Sequence, residues 1–239
     1  MKHRRSREIY QEPNRDLWIN WLGVARAISY EVGHPELTLA EASTWNQKIS
    51  ASLLCDVSHL ELAVRNLTDK ALQDRIKASG LNEHWLQDSS GYFARIGGRE
   101  FIDLVRQARF RALREKASPS WDDIVAELSL GFWLSFLGKK HLALHGDLAS
   151  AYLGLGDRNI RRLRPVADRF RSLRNRVAHH HRIIHRELLL DWELLLEMAG
   201  FIHPSLRVHL EKTSETPKLI LGFNQIAQAR SLPSPHEPR

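Results

Sequence analysis

The chain has 239 residues, a hydrophobic content of 43% and a formal net charge of +7. This length and apolar content allow a buried core without help from disulfides or metals, in one large domain or two small ones. Cys55 is the only cysteine, which excludes an intramolecular disulfide, a thiolate zinc cluster and a paired-cysteine redox motif. We therefore expect a reducing, cytoplasmic setting.

The two ends of the chain are predicted to lie outside the folded domain, which is expected to cover residues 17–211. Residues 1–16 begin with a basic run that lacks the apolar stretch of a secretory signal, which indicates a solvated arm. Residues 212–239 mix Thr, Ser, Pro and charge, which predicts a partly disordered tail. The most apolar stretch, 128–138, is far shorter than the ~20 residues that cross a bilayer, so no membrane span is expected.

Apolar residues recur at helical spacing along most of the chain, and no alternating strand pattern is sustained. The predicted helices cover, in chain order, residues 17–31, 38–78 as one helix or two, 98–117, 120–136, 157–177 and 186–199. Pro165 either kinks the fifth of these helices or marks its first turn, in which case residues 157–163 form a separate short turn. The pattern predicts an all-α bundle of roughly six to eight helices.

Eight arginines fall within the nineteen residues from 158 to 176. Arginine presents a planar, permanently charged set of donors that suits phosphate, so this density favours a polyanionic partner such as nucleic acid. The alternative is a solvated helix face balanced by Asp157 and Asp168.

Residues 172–185 hold the most chemically informative segment, with arginines, an asparagine and three consecutive histidines. Histidine transfers protons near neutral pH, and a fixed arginine such as Arg174 holds a phosphate and offsets charge that develops in a transition state. RNA supplies its own 2′-hydroxyl as nucleophile, so this set needs no metal or cofactor to cleave it. The segment is a candidate site for that reaction.

Helix geometry limits how Arg174 and His179 can cooperate. At ~100° per residue, their side chains are separated by about 140° around a straight helix. Convergence requires the motif to lie at a helix end or kink, or a second copy of the site from another subunit. The alternative is a basic helix end, with the histidines near terminal carbonyls and the arginines paired with Asp168 or Glu187.

Four segments, in order along the chain, resemble those of the Abi-like (abortive infection) group of the HEPN superfamily. Leu-Arg-Asn-Arg-Val-Ala-His-His over 173–180 resembles the group's Arg-polar-xxx-His motif. Trp-Asn-Gln-Lys-Ile-Ser-Ala over 45–51 resembles its Trp-Asn helix, His-Leu-Glu-Leu-Ala-Val-Arg-Asn over 59–66 its Leu-Glu-Val-Ala-Leu-Arg-Asn segment, and Leu-Gly-Phe-Trp over 130–133 its Phe-Gly-Phe-Trp helix. One departure is His-Arg at 181–182, where many relatives have an acidic residue.

The resemblance implies a HEPN-type helical bundle that dimerises and acts as a metal-independent endoribonuclease in phage defence or as a toxin, with a possible neutralising antitoxin or regulator. Carried over by residue, Arg174 binds and polarises the phosphate and His179 is the acid or base. Asn175 orients one of them, and His180 is a helper or an alternate. The alternative function is a non-catalytic module of the same fold that binds RNA or a partner protein.

Further residues are predicted to support this site. Glu61 and Arg65 share a helical face, which predicts an intrahelical ion pair; alternatively Glu61 holds an arginine or histidine of the motif in place. The arginines expected to bind RNA are Arg171, Arg176 and Arg182. His141 and His145 are four residues apart but lack an obvious third ligand, so we expect no metal site.

Overall fold

The computed structural model describes residues 13–231. The eleven α-helices in this range are α1 Arg15–Leu22, α2 Val24–Gly33, α3 Leu39–Ala78, α4 Tyr92–Glu115, α5 Trp121–Ala126, α6 Leu130–Ser135, α7 His145–Ala151, α8 Leu163–Ala178, α9 Leu188–Ile202, α10 Pro204–Thr213 and α11 Thr216–Ser231. Two 3₁₀ helices, Lys139–Leu144 and Ile160–Arg162, precede α7 and α8. The described residues contain no strand, which confirms the all-α prediction.

The predicted count of six to eight helices is wrong because some predicted helices are divided and other helices form where none is predicted. Gly23, at φ 81°, separates α1 from α2, a conformation that glycine adopts without steric cost. Ser129 accepts a hydrogen bond from the Phe132 amide and so begins α6 separately from α5. The segment from Lys139 to Ala151, which has no predicted helix, adds a 3₁₀ helix and α7.

The 40-residue helix α3 is the central element of the bundle. A capping box between Thr38 and Glu41 begins it, and it continues without a break to Ala78. Its buried positions recur along its whole length, and it packs against α6, α7, α8, α9 and α11. The region 38–78 is therefore one helix, and most of the other helices pack against it.

The basic segment predicted over 157–177 is divided into a short turn and a helix. The 3₁₀ helix Ile160–Arg162 precedes α8, and Pro165 lies in the first turn of α8, where its missing N–H leaves no helical hydrogen bond unmade. Phe170, Leu173 and Val177 are buried against α3 and α9. Arg164, Arg169 and Arg171 of α8 are exposed, whereas Arg174 and Arg176 are half-buried.

Residues 216–231, which the composition assigns to the tail, form α11. Phe223 is buried between the rings of His34 and Trp45, with centroids 5.1 and 6.0 Å away. The fully buried Thr216 hydroxyl donates to Asp56 Oδ2 at 2.6 Å. α11 is thus anchored to α3, while residues 1–12 of the predicted arm and 232–239 of the predicted tail lie outside the described residues.

No helix between residues 13 and 231 combines the length and the apolar character needed to cross a bilayer.

Candidate functional site

The Arg-polar-xxx-His motif over 174–179 lies at the C-terminal end of α8. A helix end is one of the positions at which Arg174 and His179 could converge. The helix ends at Ala178, and the His181 amide donates to the Arg176 carbonyl while the His180 amide donates to the Val177 carbonyl. This pair of bonds is a Schellman motif, and His180 takes its left-handed position at φ 54°. All three histidines are exposed, so the chain turn displays them at the surface.

Asn46 fixes the segment that follows the histidines. Its Oδ1 accepts from the amide of Ile183 at 2.7 Å and from that of Ile184 at 3.4 Å, and its Nδ2 donates to the His181 carbonyl at 3.3 Å. The side chain is 3% exposed, so these bonds satisfy polar groups that would otherwise be buried without partners. Asn46 therefore positions the motif segment from α3, a role that its place in the sequence does not predict.

Glu61, which also lies on α3, holds the side chain of Arg174 in place. Its Nε and Nη2 donate to the two carboxylate oxygens of Glu61 at 3.1 and 3.0 Å, and its Nη1 donates to Asn175 Oδ1 at 3.4 Å. A guanidinium has five N–H groups, so two have no partner in the described part of the chain and can bind an anion. Two partners were possible for Glu61, and in the structure it pairs with Arg174 of the motif rather than with Arg65. Arg65 instead donates a hydrogen bond to Asn66.

Arg174 lines a cleft of about 660 Å³ between α4, α6, the 3₁₀ helix at 139–144 and α8. We call it the basic cleft because five of its charged lining residues are cations and one, Glu100, is an anion. The cations are Lys139, Lys140, Arg164, Arg171 and Arg174. Apolar side chains that include Phe101, Leu104, Leu130 and Phe132 form its floor. The cleft thus combines a positive rim with an apolar interior.

His141 also lines the basic cleft, and its environment is unusual for a polar side chain. It is 5% exposed, its ring lies 4.9 Å from that of Phe136, and its Nδ1 is buried with no hydrogen-bond partner among residues 13–231. Burial lowers the pKa of His141, and the nearby His145 and Lys140 lower it further. The imidazole is therefore neutral at pH 7.

His179 is not among the residues that line the basic cleft. Its ring lies 6.4 Å from that of His181, in an edge-on arrangement. His180 lines a different cavity of about 510 Å³ together with Tyr30, Asn46 and Ser50. Within residues 13–231, Arg174 and the motif histidines therefore do not line the same one of these two cavities.

The arginines expected to bind RNA have different surroundings. Arg171 is exposed and lines the basic cleft, and it forms no ion pair with any residue between 13 and 231. Arg176 is half-buried near the end of α8. Arg182 donates a hydrogen bond to the Ser29 carbonyl of α2, so part of its guanidinium is occupied within the chain.

Lys139 and Lys140 are cleft residues that the sequence reasoning missed. They follow Gly138 in a 3₁₀ helix, and the aromatic helix α6 that precedes them packs against α8. The available signal is the Lys-Lys-His sequence at 139–141, which sets two cations beside a histidine. The His145 ring nitrogen Nε2 is within 3.2 Å of the Gly138 carbonyl, and no group of three potential metal ligands occurs in the described range.

Comparisons of the chain with protein-family models, with curated proteins and with solved structures found no match.

Proposed function

We propose that this protein is a metal-independent endoribonuclease of the Abi-like HEPN type, centred on Arg174 and His179. In this proposal it acts as a homodimer on RNA, in phage defence or as a toxin. The observation that carries the proposal is the position of Arg174, which is anchored by Glu61 and still borders a cleft rich in cations. The sequence resemblance in four segments supports the same assignment.

The proposed reaction is transfer of the RNA phosphodiester to the neighbouring 2′-oxygen. A base removes the 2′-hydroxyl proton as the oxygen attacks phosphorus, and an acid protonates the 5′-oxygen as its bond to phosphorus breaks. The products are a 2′,3′-cyclic phosphate and a 5′-hydroxyl. His179 serves as base or acid, and the two free N–H groups of Arg174 stabilise the negative charge on the phosphoryl oxygens.

Glu61 has two effects in this scheme. Its bidentate contact fixes the direction of the Arg174 side chain, which reduces the entropy cost when a phosphate binds. It also offsets part of the arginine charge, although both side chains keep more than a quarter of their surface exposed, at 29% and 28%. Asn175 completes the arrangement by accepting from Nη1.

The Glu61 pair also favours a second candidate function. An arginine that is paired within the chain is compatible with a structural role, and His179 is not among the residues that line the basic cleft. The alternative is a non-catalytic module that uses the same cleft to bind RNA. The two candidates differ in whether RNA is cut.

A gel assay of purified protein on transfer RNA and on a mixed single-stranded RNA, with chelator present, tests the proposal. We expect the wild type to produce 2′,3′-cyclic phosphate ends. Arg174→Ala and His179→Ala should each lower the cleavage rate by about 100-fold or more, the usual effect of removing a positioned acid, base or charge.

Arg169→Ala is the matched control, since Arg169 is exposed on the same helix but does not line the basic cleft. It should cut at close to the wild-type rate, and circular dichroism should show all three variants folded. Intact RNA after incubation with wild type, or equal cleavage by all variants, would overturn the proposal in favour of the binding module.

A further inference from the structure

We propose that the basic cleft is a nucleotide-binding site, in which the phosphate lies on the cationic rim and the base lies on the apolar floor against His141. The proposal rests on the proposed function only in identifying the favoured source of the nucleotide, a residue of the bound RNA strand. A free nucleotide has the same chemistry and is the second source.

The charge distribution around the cleft favours a phosphate. Lys139 and Lys140 are exposed on one wall, and Arg171 is exposed on the other. None of the three forms an ion pair with a carboxylate of the described residues, so no carboxylate between residues 13 and 231 neutralises their charges. When such cations neutralise the phosphates of a nucleic acid, they release the counterions condensed on the strand, which favours binding.

The floor of the cleft favours a flat aromatic group. Phe101, Leu104, Leu130 and Phe132 line it from α4 and α6. The volume of about 660 Å³ lies within the range of roughly 300–1000 Å³ that small-molecule sites occupy. A base can enter such a space only when it is unstacked, so the RNA source must be single-stranded there.

His141 is the independent observation that points to a ligand. A neutral imidazole that is 5% exposed with an unpartnered nitrogen is uncommon, because a buried polar atom without a hydrogen bond costs free energy. Because His141 lines the cleft, a base bound there would bring hydrogen-bonding groups next to this ring. Because the ring is uncharged, it suits a neutral base rather than a phosphate.

Fluorescence anisotropy with two probes tests the site. The first is a ten-nucleotide single-stranded RNA of mixed sequence with 2′-O-methyl groups, which block attack by the 2′-oxygen and keep the strand intact. The second is an equimolar mixture of the four nucleoside monophosphates, measured by competition with the labelled strand. Displacement by the mononucleotides at concentrations near the oligonucleotide Kd identifies a free nucleotide as a ligand, and displacement only by unlabelled strand identifies RNA.

Removing cations and removing the anion should have opposite effects. Lys139→Ala together with Lys140→Ala should weaken binding by about tenfold and reduce the salt dependence of log Kd by about 0.7 for each phosphate that is no longer neutralised. Glu100→Gln should tighten binding, an effect that partial unfolding cannot produce. His141→Phe keeps an aromatic ring but removes both ring nitrogens, and it should weaken binding while leaving the salt dependence unchanged.

Lys77→Ala together with Lys212→Ala is the control, since both lysines are exposed outside the cleft. No binding of either probe, or equal weakening by the two double lysine variants, would overturn the proposal. If the cleft variants weaken binding but the wild type does not cleave natural RNA, the binding site is supported and the nuclease proposal is overturned. If the wild type cleaves natural RNA and the cleft variants cleave it equally well, the nuclease proposal is supported and the binding site is overturned.

Discussion

His180 has a backbone conformation that residues other than glycine rarely adopt. Its φ of 54° lies in the left-handed region, at the position of the Schellman motif where glycine is the usual residue. We expect His180→Gly to raise the free energy of unfolding by about 1 kcal/mol, because glycine has no Cβ to crowd the backbone there. Urea denaturation of the wild type and the variant measures this.

Arg158→Gly provides the matched comparison, since Arg158 has a similar φ of 50° in an exposed loop. It should give a gain in stability of similar size. A gain for Arg158→Gly without one for His180→Gly would mean that the His180 ring makes interactions that outweigh the backbone strain.

Residue types were predicted better than residue partners. The sequence identifies Arg174 and allows two partners for Glu61, but the spacing along α3 alone favours Arg65 over an arginine 113 residues away. The role of Asn46 could not be predicted for the same reason. Its partners are backbone groups of residues 181–184, and only the folded chain brings them to α3.

Helices were predicted well in their interiors and poorly at their breaks. Apolar spacing predicts both ends of α3 and α9 to within about three residues, because each helix buries apolar residues along its whole length. It also predicts the end of α8, but the predicted start at residue 157 lies well before Leu163. The same spacing continues across Ser129, so one predicted helix is in fact α5 and α6. Composition placed residues 216–231 in the tail, yet α11 is anchored by a few side chains, such as Phe223, rather than by a long apolar face.

The contact between Glu41 and Arg230 ties the last helix to the start of α3. Arg230 Nη1 and Nη2 donate to the Glu41 carboxylate at 2.5 and 2.6 Å, and this contact is the main reason that the pKa of Glu41 falls to about 2. A carboxyl group with a lowered pKa stabilises the fold above its unfolded pKa, about 4.5. That contribution disappears as the pH falls from about 4.5 towards 2.

We expect Glu41→Gln to lose less stability than the wild type over this pH window, and to increase hydrogen exchange in α11 at pH 7. Glutamine at this position keeps a side-chain acceptor for the capping box with Thr38, so the start of α3 should stay intact. Arg230→Gln removes the same ion pair from the other side. If the α11 amides of Arg230→Gln exchange at the wild-type rate, the Glu41–Arg230 ion pair does not stabilise the packing of α11.

At the scale of the whole molecule, the site is built from segments that are distant in sequence. The rim of the basic cleft combines residues of α8 with Lys139 and Lys140. Glu61 of α3 does not line the cleft but binds Arg174, which does. Sequence spacing predicts neighbours within one helix, so it identified the arginines of α8 and missed the two lysines. The packing of α6 against α8 brings these walls together, and no local pattern encodes it.

Arg174 lines the basic cleft and His179 does not, which leads to a prediction about the proposed dimer. If Arg174 of one subunit works with His179 of the other, Arg174→Ala and His179→Ala chains should complement each other when they are produced together. Random assembly gives half mixed dimers, each with one intact site of two, so about a quarter of wild-type cleavage should return. Light scattering should give a mass of twice the 27.6 kDa of the chain.

The mixture of Arg174→Ala with the Arg174→Ala, His179→Ala double variant is the control, because no dimer of these chains contains an intact arginine. It should remain inactive. Recovered cleavage in the first mixture alone requires a site shared between two subunits, because neither chain carries both residues. A dimer that shows no recovery would place the complete site within one chain, and His141 would then be the histidine to test next because it lines the same cleft as Arg174.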